Sequence, residues 1–120
     1  MSALRLLLAA ALVAQAGCGE RQPTRAVAGD AARGRIALAQ YACNSCHIIP
    51  GVTGPRVYVG RPLEGVGERK FIAGHLPNTQ ENLMRWIRDP KSVDPQTPMP
   101  VLDVTETDAR DISAYLLTLR

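Results

Sequence analysis

Large aromatic side chains are scarce in this chain: one Trp, one Phe and three Tyr among 120 residues. So few rings cannot fill an interior as they do in most small domains, and another apolar body has to take their place. Long hydrophobic runs are missing too. The longest, Leu6 to Ala14, has nine residues, which as a helix covers about 14 Å of an apolar slab about 30 Å thick. An excess of one charge is also lacking, since the formal net charge is only +3. That balance excludes a nucleic-acid binder, which needs many clustered cations to release counterions. The length supports one domain rather than two.

What is present begins with a leader. Arg5 precedes the apolar run, and Ala14-Gln15-Ala16 follows it, the order of a secretory signal peptide over residues 1–17. Two cleavage sites overlap. Ala16-Gly17-Cys18 resembles the end of a bacterial lipobox, with Gln15 where an aliphatic residue is expected, whereas Ala14-Gln15-Ala16 suits ordinary signal peptidase. Three cysteines cannot all pair internally. Lipid attachment at Cys18 gives a role to a thiol otherwise free in an oxidising compartment. The expectation is a periplasmic protein anchored to the membrane through Cys18. Residues 18–29 are polar, contain Pro23 and lack periodicity, and so read as a flexible tether to a folded domain over 30–120.

Cys43-Asn44-Ser45-Cys46-His47 is the C-x-x-C-H pattern of covalent c-type haem attachment. Two thiols three positions apart can form thioethers with one porphyrin edge while the adjacent imidazole turns onto the iron. The alternatives fit less well. A thioredoxin-like C-x-x-C follows a strand, and no β-rich run precedes Cys43. A zinc site needs a fourth ligand, for which only His75 supplies an imidazole. A disulfide between Cys43 and Cys46 closes a strained loop.

Haem iron has a second axial position. Met99 lies in Pro95-Gln96-Thr97-Pro98-Met99-Pro100, where the prolines exclude a helix and restrict the unfolded chain, lowering the entropy lost on ligation. Met84 sits in a helical pattern and reads as core. His75, in Gly74-His75-Leu76-Pro77, is the rival ligand. A soft methionine beside His47 raises the reduction potential and leaves no open position for oxygen, which points to electron transfer and not to an enzyme. His47 should donate its other ring N–H to a carbonyl, and Pro55 in Gly54-Pro55 is the acceptor expected here.

These residues resemble a class I monohaem c-type cytochrome, and especially the haem domain fused to subunit II of some bacterial haem-copper oxidases. The likeness spans roughly Gly29 to Arg120. It rests on Gly34, Cys43-x-x-Cys46-His47, Gly54-Pro55, Asn82-Leu83-Met84-Arg85-Trp86-Ile87-Arg88-Asp89-Pro90, Met99-Pro100 and Ala114-Tyr115-Leu116. The resemblance implies an all-α cytochrome c fold, three main helices and long loops wrapped around one haem c. It implies that Trp86 hydrogen-bonds a haem propionate and that Gly34 lets the first helix cross the last closely, against Tyr115. Its redox partners would be an upstream donor and a respiratory oxidase. No copper-binding sequence precedes the motif, so haem chemistry is carried over and the oxidase subunit is not.

Three helices also follow from the residues alone. The first begins after Asp30 as N-cap and places Ala32, Ile36, Ala39 and Cys43 on one stripe. The second starts at Asn78 or Thr79, with Glu81 able to close a capping box on Asn78, carries Leu83, Trp86 and Ile87, and ends before Pro90. The third has Thr105 and Asp108 at its start and Ile112, Tyr115, Leu116 and Leu119 as its core stripe. Between His47 and Asn78 lie thirty residues with ten Gly or Pro, with one helical turn expected over 68–73. A loop that long belongs in a small domain when it wraps a large covalent ligand. Residues 19–75 carry a net +4 and 76–120 a net −2, so the attachment half offers a basic face to an acidic partner.

Overall fold

The structure, a computed structural model, describes residues 26–120; the expected leader, Cys18 and most of the tether lie outside them. Among the described residues four α-helices carry the fold: α1 (Ala31–Gln40), α2 (Gln80–Arg88), α3 (Pro90–Val93) and α4 (Glu106–Leu116). None is long and apolar enough to cross a membrane. Short 3₁₀ turns span Cys43–Ser45 and Val66–Glu68, and β1 (Phe71–Ile72) pairs antiparallel with β2 (Leu76–Pro77).

Helix α1 starts where its cap dictates. The Asp30 carboxylate accepts from the Arg33 N–H, satisfying a donor that the helix leaves orphaned. The buried face is Gly34, Ala37 and Leu38, not the expected Ala32, Ile36 and Ala39, all of which are exposed. The reason is the crossing with α4. A Cβ at Gly34 would fall inside the contact distance of the Asp111 carbonyl, so the two backbones touch and position 34 fixes which stripe turns inward. The atoms nearest a Cβ at Gly34 belong to Asp111 and Ile112. Tyr115, one turn further along α4, donates its hydroxyl to the Pro50 carbonyl at 2.7 Å.

Asp111 adds a polar clasp to this crossing. Its carboxylate, almost fully buried, accepts from the Asp30 N–H at 2.7 Å and from Arg33 Nε at 2.8 Å. The Arg33 hydrogen bond, helped by the Asp30 N–H, holds the Asp111 carboxyl below the usual carboxylate range. Ahead of α1, the Ala28 N–H donates to Gln80 Oε1 at 2.9 Å, so ordered contacts begin two residues before Asp30.

The cap of α2 is Thr79, whose hydroxyl accepts from the Asn82 N–H. Asn78 is not the cap. Its amide donates instead to the Val66 carbonyl at 2.7 Å and the Arg69 carbonyl at 2.9 Å, tying the long loop to the start of α2. Asp89 then ends α2 and caps the short α3, accepting from the Ser92 N–H at 3.1 Å. That fourth helix was not expected. Proline at its first position makes it possible, because the missing N–H is unneeded there. The turn expected over 68–73 falls earlier, at Val66–Glu68, and the chain then forms the hairpin. Its tip tolerates left-handed backbone at Ala73 (φ 48°) and Gly74 (φ 81°). Ile112, Leu116 and Leu119 of the last stripe join Leu38, Leu83 and Ile87 in one core.

Candidate haem-binding site

The C-x-x-C-H segment leaves α1 through Ala42, which takes left-handed backbone (φ 55°), and closes into the 3₁₀ turn Cys43–Ser45. Here the chain stops being helical before Cys43, which is why the Ala32 stripe does not run on into it. The His47 N–H donates to the Cys43 carbonyl at 3.0 Å, so thiol and imidazole are set on one tight turn. Cys43 and Cys46 are free thiols, both half-buried. Burial pushes the Cys43 thiol up.

His47 is oriented by a carbonyl, as a ligating imidazole requires. That carbonyl belongs to Arg61, 2.7 Å from Nδ1, and not to Pro55. The Pro55 carbonyl is engaged locally by the Val57 N–H at 3.1 Å. Residues 60–63 are brought to the histidine by a short ladder, with the Gly60 N–H on the Cys46 carbonyl at 2.8 Å and the Leu63 N–H on Ile48 at 2.9 Å. Gly60 is a consequence of this approach. A Cβ there would stand 2.6 Å from His47 Nδ1. With Nδ1 engaged, Nε2 is the nitrogen left to bind iron.

Met99 is half-buried at the end of a segment pinned at successive points. The Thr97 N–H donates to the Asp94 carbonyl at 3.1 Å, Lys91 Nζ donates to the Thr97 carbonyl, and the Met99 N–H donates to Thr97 Oγ1 at 3.3 Å. Thr97 itself is buried. Trp86 is half-buried and packs on the core from α2. His75 stands exposed in the hairpin turn, between Gly74 and β2.

Two free, half-buried thiols on one turn, with an oriented imidazole beside them, fit a haem attached by two thioethers. They fit bare metal poorly. Among the described residues no three His, Cys, Asp or Glu side chains converge on a common point. A cleft of about 1460 Å³ lies against Met84, Arg85, Arg88 and Arg110. None of Cys43, Cys46, His47 and Met99 lines it, so its size alone does not make it the site.

The residue that sequence reasoning missed is Arg69. Its Nη2 donates to the Pro62 carbonyl at 2.6 Å and the Glu64 carbonyl at 2.9 Å. Burial, and then Arg61, lower its pKa. Among the described residues no carboxylate pairs with it. In the sequence it is one of four cations in a Gly/Pro-rich stretch, next to Lys70, and by itself reads as a solvated charge.

A small helical domain folded around C-x-x-C-H, with an oriented histidine, defines a covalent haem protein. The chain belongs to the cytochrome c family, whose model, described as cytochrome c, matches residues 31–120. It is 38% identical over 100 residues to cytochrome c oxidase subunit 2 of Alkalihalophilus pseudofirmus, covering 82% of this chain and 28% of that protein. It is 34% identical over 88 residues to cytochrome c oxidase subunit 2 of Bacillus sp. strain PS3, covering 70% of this chain and 25% of that protein. The chain thus spans about a quarter of the length of these curated relatives. In fold it is similar to cytochrome c2 from Rhodobacter sphaeroides, with a TM-score of 0.60, 24% identity, and coverage of 77% of this chain and 97% of that one. Haem c is its cofactor and electron transfer its chemistry.

Proposed function

We propose that the chain is a single-electron carrier of a bacterial respiratory chain that delivers electrons to a terminal oxidase, with His47 Nε2 and Met99 Sδ as the axial ligands. When bound, the haem supplies an iron that gains or loses one electron. Cys43 and Cys46 hold it, Arg61 fixes the plane of His47 through its carbonyl, and the pinned 94–99 segment presents Met99. Trp86 offers its indole N–H as a donor to the haem's carboxylates. The observation that carries this reading is the His47 ring: Nδ1 is engaged by the Arg61 carbonyl and, among the described residues, Nε2 has no hydrogen-bond partner, on the same turn as two free thiols.

The test is the absorption spectrum of holo-protein beside its Met99→Ala variant. Low-spin iron in the first and ligand-accessible iron in the second, binding carbon monoxide rapidly, is the expected pair. Identical spectra would remove Met99. Export to the periplasm and lipid attachment at Cys18 belong to the same proposal, and recovery of a Cys18→Ser variant in the membrane fraction at wild-type level contradicts the anchor. A second reading, a haem subunit docked permanently in an oxidase, is favoured by the subunit 2 names of the relatives. Co-purification with other subunits from solubilised membranes separates the two.

A further inference from the structure

The chain has three tyrosines, and their surroundings differ. Tyr58 is 75% exposed. Tyr115, half-buried, donates its hydroxyl to a backbone carbonyl, that of Pro50. Tyr41 donates its hydroxyl to Asp108 Oδ2 at 2.7 Å, joining the end of α1 to the first turn of α4. Both partners of that bond are half-buried. Asp108 is held in place from its own helix: Thr105 Oγ1 donates to the same carboxylate oxygen at 2.8 Å, and the Asp108 N–H donates back to Thr105 Oγ1 at 3.1 Å. Among the described residues no Lys or Arg forms an ion pair with Asp108. Tyr41 is also the C-cap of α1 and precedes Cys43 by two residues, so the two Cα atoms are no more than about 7.6 Å apart.

Partner and position together give Tyr41 a chemistry that packing does not require. A phenol gives up an electron most readily when its proton can leave in the same event. A carboxylate aligned on the O–H can take that proton and keep it, which a backbone carbonyl cannot. Of the three tyrosines, only Tyr41 meets a carboxylate among the described residues. We infer that Tyr41, with Asp108 as its proton acceptor, is a one-electron donor site beside the haem-attachment turn, spent on strong one-electron oxidants of the kind peroxides generate. Tyr41 loses one electron and the oxidant is reduced by one. The phenol O–H bond breaks, its proton forms an O–H bond on Asp108 Oδ2, and a neutral tyrosyl radical remains. One electron from a reductant and the return of that proton restore the phenol. An electron supplied by this renewable group spares the Cys43 and Cys46 sulfurs and the Met99 thioether, whose oxidation needs enzymatic repair or is irreversible. The inference goes beyond the electron-carrier reading and depends neither on the sixth ligand nor on the acceptor.

The test uses ferric holo-protein, with photo-oxidised tris(bipyridyl)ruthenium as the one-electron oxidant. Samples are freeze-trapped and read by electron paramagnetic resonance. Wild type should give a neutral tyrosyl signal that narrows when the protein is made with ring-deuterated tyrosine. Tyr41→Phe should lose the signal, and Tyr58→Phe and Tyr115→Phe should keep it. Asp108→Asn retains an acceptor oxygen for the phenol and for Thr105 but removes the base, and should lose the signal too. A reading that needs no variant is the proton coupling of the wild-type radical. The hydrogen bond returned by the protonated Asp108 should appear as a coupling that vanishes in deuterium oxide. A signal that survives Tyr41→Phe and disappears in Tyr58→Phe overturns the inference, as does a wild-type radical with no exchangeable coupling. Full signal in Asp108→Asn overturns it as well, because the bond between Tyr41 and Asp108 is then a structural tie only.

Discussion

The crossing of α1 and α4 and the face between His47 and Met99 are built on opposite terms. At the crossing, protein fills its own interior. Gly34 admits the α4 backbone, Leu38 and Ile112 are almost fully buried, and Asp111 bonds back to Asp30 and Arg33. The segments that carry His47 and Met99 are not helical. The haem face is a 3₁₀ turn and two irregular segments, positioned by single hydrogen bonds such as Arg61 to His47 and Thr97 to Met99. Regular structure suffices where side chains pack on side chains. Where a cofactor replaces the core, the chain is pinned point by point, and what it gains is geometry rather than burial.

The comparison can be broken first at the two glycines. Gly34→Ala should destabilise by about 3 kcal/mol or more, since the new methyl meets the α4 backbone, which cannot move aside as a side chain can. Its haem spectrum should stay that of wild type. Gly60→Ala should do the reverse, because the methyl meets the His47 ring: an altered spectrum with a smaller loss of stability. Denaturant unfolding beside absorption spectra reads both, and the same outcome for both would erase the distinction. The identity of the α1 core stripe gives the next effect. Leu38→Ala, at a site 2% exposed, should cost about 2–4 kcal/mol. Ile36→Ala, at a site 53% exposed, should cost less than about 1 kcal/mol.

The smallest effect is in pH dependence. The Asp111 carboxyl titrates below its unfolded value, so its stabilisation is complete above about pH 4 and fades as pH falls through the folded value. Asp111→Asn should therefore lower the melting temperature at pH 7, with the gap to wild type closing below about pH 4. A gap independent of pH would show that the carboxylate's charge does not contribute.

How much of this was legible in the sequence divides along the same line. The C-x-x-C-H motif, the caps Asp30 and Thr105 and the α4 stripe are local patterns, and local patterns survive folding. The α1 stripe was misread because Ile36 looks like core and Gly34 does not. Only the crossing with α4, remote in sequence, makes glycine the residue that faces inward. The His47 acceptor was misplaced for a related reason. Gly54-Pro55 has the look of a rigid carbonyl, but the ladder through Gly60 and Leu63 brings Arg61 to the ring instead. The start of α2 was left between Asn78 and Thr79 because the two carbonyls that engage Asn78 lie nine and twelve residues upstream, beyond any local pattern. Met99 stood out by its prolines, while the Lys91 and Thr97 contacts that hold it carry no periodicity.

The intact mass of wild-type protein, matured in a host able to attach haem c, measures the central point directly, with Cys46→Ala alongside. Wild type should carry the mass of one haem that survives denaturation, and the variant should lose the two-thioether linkage. A wild-type chain at the mass of the bare polypeptide would contradict the account.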